Sequence, residues 1–220
     1  MKDTMSIITL ERKVLEKNDE IARKNREEFV RRKIFAINVV SSPGSGKTSI
    51  LERTLEQFNG VVPIAVIEGD VQTDLDAQRI GKFNVPVVQV VTNGMCHLEA
   101  KFVNDSLSVF ENKNIRLLII ENVGNLVCPS NYDLGEAHKI VVLSTAEGDD
   151  KPLKYPAMFR NASVLLINKI DLVPYVNCNL DVMKKNALTI NPKLKIFELS
   201  CTTKQGIQEW CEWLSNNLII

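Results

Sequence analysis

Residues 34–48 constrain the fold of this chain more than any other stretch, and they read Ile-Phe-Ala-Ile-Asn-Val-Val-Ser-Ser-Pro-Gly-Ser-Gly-Lys-Thr. Residues 34–40 are largely apolar and β-branched and predict a buried strand, whereas residues 49–55 are compatible with a helix. Gly44 and Gly46 allow the turn between the strand and the helix to fold tightly, so that successive N–H groups and the positive end of the helix point at one phosphate. The order of strand, turn and helix favours a phosphate-binding P-loop over an ordinary Gly/Ser-rich turn.

The loop departs from the pattern G-x-x-x-x-G-K-[ST] at Ser41, which stands where the pattern has its first glycine. This position must therefore reach its conformation with a side chain. We expect Lys47 to reach the outer phosphates as a point charge and Thr48 to bind Mg²⁺ through its hydroxyl, so that both are needed for turnover. The predicted nucleotide-binding residues of the loop are Gly44, Ser45, Gly46, Lys47, Thr48 and Ser49.

The composition is that of a globular protein with a sizeable core, because 45% of the 220 residues are hydrophobic and 25% are charged. The 27 Lys and Arg residues balance the 27 Asp and Glu residues, so the charge does not suggest a partner such as nucleic acid or a membrane surface. No apolar run approaches the ~20 residues of a membrane span and the N-terminus is charged, so we expect a cytoplasmic protein. The 5 cysteines are scattered and odd in number, which indicates reduced thiols rather than a disulfide framework.

Seven largely apolar runs predict strands, at residues 34–40, 61–68, 85–91, 116–121, 140–144, 164–167 and 194–199. Helical patterns separate most of them, which is typical of an α/β fold with a mostly parallel sheet and helices on both faces. We assign residues 33–220 to this P-loop domain and residues 1–32 to an appendage of one or two helices. A narrow apolar stripe, explained most simply by packing on the domain, runs along the appendage through Ile7, Ile8, Val14, Leu15, Ile21, Ala22 and Phe29.

Ligands of a parallel sheet bind beyond the carboxyl ends of the strands, so the residues after each apolar run are candidates for the site. Asp171 follows the sixth run, and its carboxylate can accept hydrogen bonds from N1–H and the 2-amino group of guanine. Adenine offers neither donor, and a mismatch of this kind can discriminate by ~10⁴. Backbone N–H groups after the seventh run could meet the base oxygen. The predicted guanine site comprises Asn168, Lys169, Asp171, Ser200 and Cys201.

Acidic residues after the second and fourth runs are candidates for binding Mg²⁺. Glu121 can hold the ion directly or through water, and Gly124 can bring its N–H to the terminal phosphate. Asp70 is a second candidate for the Mg²⁺ shell. Asp74 and Asp76 could orient the attacking water or contact a partner, although an acidic helix start explains them equally well.

A different group of residues combines thiols with an imidazole. Cys96 and His97 follow the third run, and Cys128 lies just past the fourth. If these strands take their usual places, the three side chains converge on one rim of the sheet. Thiolate and imidazole suit Zn²⁺ or Ni²⁺ better than Mg²⁺, and three ligands leave a position open for transfer or sharing. Taken singly, the residues are explained as well by buried thiols and a hydrogen-bonded histidine, so both interpretations stay open.

Five motifs together resemble the hydrogenase nickel-incorporation GTPase family HypB. They are Ser-Ser-Pro-Gly-Ser-Gly-Lys-Thr, Glu-Gly-Asp, Asn-Gly-Met-Cys-His-Leu-Glu-Ala, Glu-Asn-Val-Gly-Asn-Leu-Val-Cys-Pro and Asn-Lys-Ile-Asp-Leu, and the resemblance covers the chain from about residue 34 onwards. The fourth motif is highly specific and argues against the related urease nickel GTPase. The resemblance implies GTP hydrolysis coupled to nickel insertion into [NiFe] hydrogenase, a homodimer closed by nucleotide, and a HypA metallochaperone as partner. It also implies that Cys96, His97 and Cys128 bind the metal.

Some members of that family carry an N-terminal Cys-x-x-Cys-Gly-Cys nickel site or a His-rich stretch. This sequence has no cysteine before Cys96 and only 2 histidines, so we expect only the site on the P-loop domain. The leading hypothesis is a GTP-switched metallochaperone whose eventual target is the hydrogenase large subunit. We expect slow hydrolysis, because Asn125 stands where some GTPases have a water-positioning Gln. The alternatives are a P-loop kinase for small molecules, which usually selects adenine without the 168–171 motif, and a scaffold that uses nucleotide only for stability.

Overall fold

The fold contains the seven parallel strands that the apolar runs predict. The computed structural model describes the backbone of residues 2–58 and 60–218 and the side chains of residues 13–58 and 60–218. The strands are β1 Phe35–Ser41, β2 Ile64–Asp70, β3 Val87–Val91, β4 Leu117–Glu121, β5 His138–Ser144, β6 Val164–Asn168 and β7 Lys195–Glu198. Every described strand pair is parallel, in the order β3-β2-β4-β1-β5-β6-β7. The P-loop therefore follows the central strand, between the ends of β4 and β5.

Helices cover both faces of this sheet. They are α1 Lys2–Arg32, α2 Lys47–Phe58, α3 Leu75–Gly81, α4 Ala100–Val109, α5 Lys151–Lys154, α6 Pro156–Arg160, α7 Leu180–Ile190 and α8 Ile207–Asn217. Short 3₁₀ helices lie at Cys128–Asn131, Thr145–Glu147 and Ile170–Tyr175. Within the described ranges, no helix is both long enough and apolar enough to span a bilayer.

The alternation of side chains along β1 shows how the two faces are used. Ile37 and Val39 point to one face and pack with residues of α2, α3 and α8. On the other face, Ala36 packs with Phe29 of α1 and with α4, and Val40 packs with α6 and α7. Because helices cover both faces, the strand ends are the part of the sheet that a ligand can reach, as the predicted fold class implies.

Two strands begin two or three residues later than the apolar runs predict. β2 begins at Ile64 rather than at Val61, which is 82% exposed, and β3 begins at Val87 rather than at Val85. A proline precedes each strand, and proline has no N–H to donate to a ladder of hydrogen bonds.

The N-terminal segment forms one helix, α1, rather than two. Ala22 and Phe29 of the predicted apolar stripe are buried, whereas Val14 is 45% exposed. Ile7 and Ile8 lie outside the residues whose side chains are described. Because α1 packs on α4 and on the loop that precedes β5, it is attached along part of its length to the sheet domain. The division of the chain between residues 32 and 33 stays a prediction.

Candidate nucleotide and metal sites

The P-loop joins β1 to α2 at the carboxyl edge of the sheet. Ser41 is the last residue of β1, so the position that lacks the expected glycine has an ordinary strand backbone. Gly44 and Gly46 have φ angles of +75° and +97°, which side chains disfavour. A Cβ atom on Gly46 would also clash with the side-chain amide of Asn168. The structure thus requires glycine at position 46 and not at position 41.

Lys47 and Thr48 begin α2 and lie beside Glu121 at the end of β4. Lys47 Nζ donates to Ser41 Oγ at 3.1 Å and lies 4.0 Å from Glu121 Oε1. Thr48 Oγ1 donates to the same carboxylate oxygen at 2.8 Å. The structure therefore brings the lysine, the hydroxyl and the acid of the predicted phosphate and Mg²⁺ site to one point.

Glu147 supports the P-loop from the adjacent strand, and the sequence analysis did not identify it. Ser45 Oγ donates to Glu147 Oε1 at 2.6 Å, and the same oxygen accepts from the N–H of Ser144 at 2.9 Å. The second bond belongs to a capping box between Ser144 and Glu147. The spacing Ser-x-x-Glu after a strand is a sequence signal for such a box and could have revealed it.

The loop after β6 is tied to the P-loop by two side chains. Asn168 Nδ2 donates to Ser45 O at 2.9 Å, and Lys169 Nζ donates to Gly44 O at 2.8 Å. Lys169 has a φ of +62°, which is uncommon for a residue with a side chain. Asp171 Oδ1 is buried and has no hydrogen-bond partner in the described part of the chain. A buried acceptor without a partner is costly, and the N–H donors of guanine would supply one.

Ser200 and Cys201 follow β7 and adjoin this loop, because the N–H of Ile170 donates to Leu199 O at 3.3 Å. The N–H of Ser200 already donates to Gln205 O at 3.0 Å, so it is not available to a base. Burial raises the pKa of the Cys201 thiol to about 11, which leaves the thiol neutral near pH 7. Of the predicted pair, Cys201 is therefore the better candidate to offer its backbone N–H.

Three carboxylates, those of Glu68, Asp76 and Glu121, meet beside Thr48, with one oxygen of each within 4.8 Å of the others. Glu68 and Glu121 are 2% and 1% exposed, and each has one oxygen, Oε2, without a hydrogen-bond partner among the described residues. Burial and the neighbouring Glu121 carboxylate raise the pKa of Glu68 to about 11, and burial also raises the pKa of Glu121. Unpaired carboxylate oxygens that repel one another fit Mg²⁺, whose ligands in proteins are oxygens.

Glu68 takes the place beside Glu121 that the sequence analysis assigned to Asp70. The register of β2 and β4 sets Glu68 directly opposite Glu121. Asp70 Oδ1 instead accepts hydrogen bonds from two backbone N–H groups of its own turn, at 2.7 and 2.8 Å. Asp74 is exposed at the start of α3, whereas Asp76 reaches the cluster. A sequence signal for Glu68 existed, because a charged residue at the end of an apolar run is costly to bury without a partner.

The structure also brings Cys96, His97 and Cys128 together, with one ligand atom of each within 4.8 Å of the others. Cys96 Sγ donates to Cys128 Sγ at 2.8 Å and lies 3.8 Å from His97 Nδ1, and the His97 ring lies 4.0 Å from the Tyr132 ring between centroids. The hydrogen bond to Cys128 raises the pKa of Cys96, and burial lowers the pKa of His97. A neutral imidazole beside two thiols has the donor atoms of a site for a thiophilic ion.

The segment after β4 joins the two groups of residues. Gly124 packs against the P-loop, since a Cβ atom placed on it would lie 3.1 Å from Pro43 Cα. The next residue, Asn125, donates from Nδ2 to Cys96 O at 3.3 Å and accepts at Oδ1 from the N–H of Val127 at 2.8 Å. The Asn125 amide is therefore bonded to the backbone of the segments that carry Cys96 and Cys128.

Comparison with known proteins places these sites in a family context. Residues 35–198 match the family model of the CobW/HypB/UreG nucleotide-binding domain. The chain is 47% identical over 208 residues to the hydrogenase maturation factor HypB of Escherichia coli (strain K12), and the alignment covers 94% of this chain and 72% of that protein.

Two solved structures are similar to this fold. The HypB structure from Helicobacter pylori in complex with nickel has a TM-score of 0.88 and 38% identity, and the match covers 92% of this chain and 95% of that one. The structure of the hydrogenase maturation factor HypB from Archaeoglobus fulgidus has a TM-score of 0.87 and 38% identity, with 92% and 99% covered.

Proposed function

The chain belongs to the HypB family within the CobW/HypB/UreG nucleotide-binding proteins, and on this basis we propose that it is a GTP-hydrolysing metallochaperone. GTP binding and hydrolysis are coupled to the delivery of nickel for [NiFe] hydrogenase maturation. The observation that carries the proposal is the short segment between the two sites. Gly124 packs on the P-loop, and Cys128, in contact with Cys96, follows it in the same segment.

Guanine is the base that this site fits. Asp171 Oδ1 is a buried acceptor that lacks a donor within the described residues, and guanine presents two N–H donors to a carboxylate at this place. Adenine would leave the acceptor unpaired, which supports selection of GTP over ATP. Asn168 and Lys169 fix this loop to the P-loop, so the base and the phosphates are bound by one connected structure.

Thr48, Glu121 and Glu68 would hold Mg²⁺, with Asp76 at the edge of the same cluster. The ion supplies positive charge to the phosphates during transfer to water, and Lys47 adds its own. Asp76 is also the better placed of the two predicted acids to orient the attacking water. The expected slow turnover is supported by Asn125, because its amide is committed to Cys96 and Val127.

Nickel, or zinc in its place, is the cargo of Cys96, His97 and Cys128. Three ligands from one chain leave a coordination position for a partner, which supports a nucleotide-dependent homodimer and transfer from a HypA-type metallochaperone. Met95 and Val127, which flank the two cysteines in sequence, are 37% and 59% exposed and offer an apolar surface for such contacts. The hydrogenase large subunit is the proposed final recipient.

A turnover assay with GTP and ATP, paired with Ni²⁺ titration, tests the proposal. We expect hydrolysis of GTP in preference to ATP, and Ni²⁺ binding that is lost in Cys96→Ala and Cys128→Ala. Cys178→Ala is the matched control, because Cys178 is another partly exposed free thiol outside the cluster. Phosphoryl transfer from ATP to a small molecule would indicate a kinase instead. Tight nucleotide binding without turnover would indicate a scaffold.

A further inference from the structure

Two asparagine side chains are buried on the face of α1 that meets the sheet domain. Asn18 is 5% exposed and Asn25 is fully buried. Together with Ala22 and Phe29 they follow a spacing of four and three residues, which places all of them on one side of the helix. Amides are costly to bury unless they are hydrogen-bonded, so their partners indicate what this face of α1 recognises.

Asn18 connects the two segments that carry the thiol and imidazole groups. Its Oδ1 accepts from the N–H of Ala100 at 2.9 Å, and its Nδ2 donates to Asp133 O at 2.8 Å. Ala100 begins α4 directly after the segment with Cys96 and His97. Asp133 belongs to the segment that continues from Cys128 towards β5. A single amide therefore bonds to both segments.

Asn25 repeats this connection seven residues, or about two turns, further along α1. Its Nδ2 donates to Ala100 O at 2.9 Å and to Leu134 O at 3.0 Å, and its Oδ1 accepts from Asn104 Nδ2 at 2.9 Å. The amide uses both of its N–H groups, one on each segment. Because the two asparagines bond to backbone groups, they set the position of the chain itself.

Gly135 shows that the contact with α1 is built closely. Its φ is +93°, and a Cβ atom there would lie 2.7 Å from Ala22 O and 2.7 Å from Asn25 Cβ. Only glycine lets this backbone approach the helix so closely, and the approach puts Leu134 O within reach of Asn25. Tyr132, whose ring contacts that of His97 at an interplanar angle of 40°, lies in the same segment.

We infer that α1 positions the metal-binding segments through Asn18 and Asn25, and so sets how tightly Cys96, His97 and Cys128 bind a metal ion. Neither asparagine is a ligand, and both act through the backbone of Ala100, Asp133 and Leu134. The inference rests on the proposed metal-binding function of the three ligands. It assigns α1 a role in that site, beyond packing on the domain.

The test measures two quantities: how readily the Cys96 and Cys128 thiols pair in the metal-free protein, and how tightly the reduced protein binds Ni²⁺. The equilibrium of the Cys96 and Cys128 thiols with glutathione disulfide, which is reduced to two glutathione thiols as the protein pair is oxidised, reports their effective concentration in the metal-free protein. Ni²⁺ titration of the reduced protein then reports affinity. We expect Asn18→Ala and Asn25→Ala to lower the effective concentration several-fold and the Ni²⁺ affinity by about 10 to 100-fold, as for residues that orient metal ligands.

Two controls separate positioning from loss of stability. Arg26→Gln removes the exposed ion pair between Arg26 of α1 and Asp133. The thiol equilibrium and the Ni²⁺ affinity should both stay within about two-fold of the wild type, because exposed ion pairs contribute little. Leu214→Ala opens a cavity in α8 on the opposite face of the sheet, and should lower thermal stability without changing the thiol equilibrium. GTP turnover with Mg²⁺ and without added Ni²⁺ should be unchanged in Asn18→Ala.

The outcomes are distinct for the inference and for the proposed function. A lower effective concentration in both asparagine variants supports the positioning of the two segments by α1. A wild type that binds no Ni²⁺ would reject the proposed cargo site, and with it the effect of α1 on metal affinity, but not the positioning. Wild-type values of both the thiol equilibrium and the Ni²⁺ affinity in Asn18→Ala and Asn25→Ala would overturn the inference. Equal losses in Leu214→Ala would also overturn it.

Discussion

The side-chain oxygen of Asn122 accepts a hydrogen bond from the backbone N–H of Leu98 at 3.0 Å, which ties the residue after Glu121 to the residue after His97. The same oxygen accepts from the N–H of Val123 at 2.9 Å. Asn122 is 1% exposed, so these bonds lie in the interior. The strand end that carries Glu121 is thereby joined directly to the segment that carries Cys96 and His97.

Asn122→Ala should weaken the coupling between nucleotide and metal, because it removes this link. In the wild type, a non-hydrolysable GTP analogue and GDP should give Ni²⁺ affinities that differ by a factor of roughly 5 to 150, and linkage requires Ni²⁺ to change the ratio of GTP to GDP affinity equally. In Asn122→Ala we expect the factor to fall towards one. Asn122 Nδ2 also donates to Asn38 Oδ1 at 3.2 Å, so Asn38→Ala, which removes that bond and leaves the bond to Leu98, is the control. Identical Ni²⁺ affinities for the two nucleotide forms of the wild type would contradict the coupling itself.

Asp171→Asn should shift the preference from GTP towards xanthosine triphosphate. Asparagine presents an N–H group to the 2-oxo group of xanthine and no longer accepts from both donors of guanine. Competition binding with GTP and xanthosine triphosphate measures the change. GTP affinity that is unaltered in the variant would show that the buried Asp171 carboxylate does not contact the base.

Lys47→Ala and Thr48→Ala should both abolish GTP turnover, for different reasons. The first removes a charge from the phosphates, and the second removes the hydroxyl that lies 2.8 Å from Glu121 and would bind Mg²⁺. A Mg²⁺ titration of turnover distinguishes them. Excess Mg²⁺ should restore part of the activity of Thr48→Ala and none of that of Lys47→Ala. Equal rescue of both variants would mean that these roles are assigned wrongly.

Glu68→Gln should stabilise the protein at pH 8 in the absence of Mg²⁺ and nucleotide. The pKa of Glu68, about 11 in the fold, lies above its value of ~4.3 in an unfolded chain. The contribution of Glu68 to stability is therefore complete below pH ~4.3 and is lost as the pH rises towards the folded value, at up to ~1.4 kcal/mol per unit. Because the side chain of the variant does not ionise, we expect its free energy of unfolding to exceed that of the wild type by about 1–3 kcal/mol at pH 8 and to equal it near pH 4.

Urea unfolding in a chelator, across this pH range, measures the effect of Glu68→Gln. The exposed Glu209→Gln on α8 is the control and should match the wild type. The Mg²⁺ concentration needed for half-maximal GTP turnover should rise in Glu68→Gln, since a ligand oxygen loses its charge. A variant with wild-type stability at pH 8 would show that the pKa of Glu68 is not raised in the folded protein.

Alkylation of the cysteines should separate the metal site from the structural thiols. Burial raises the pKa of Cys201 to about 11 and that of Cys211 to about 12, so both stay protonated and slow to react at pH 8. Cys96 and Cys128 are partly exposed and should react with N-ethylmaleimide in the metal-free protein, and bound Zn²⁺ should protect them. Mass spectrometry of each peptide measures the rates. Alkylation of Cys96 and Cys128 at the same rate with and without Zn²⁺ would place the metal elsewhere.

The carboxyl edge of the sheet is the part of the site that local patterns predict. Gly44, Gly46 and Lys47 define the P-loop, and the apolar runs define which loops follow parallel strands. Because parallel strands end at one edge, the sequence also predicts that the segment of Cys96 and the segment of Cys128 lie close together. The observed order of hydrogen-bonded parallel strands confirms the fold on which this prediction depends. Glycine conformation and apolar spacing are local properties, and a single sequence contains them.

The partners of buried polar side chains were decided only by the tertiary structure. Glu68 lies opposite Glu121 because of the register between β2 and β4, which are separated in the chain by α3, β3 and α4. From the sequence alone, Asn18 and Asn25 look like solvated residues of a charged helix. Their burial follows only from the packing of α1 on the segments around Ala100 and Asp133. Such partners depend on the distance between segments remote in sequence, and the cost of burying a polar group arises only when that packing forms.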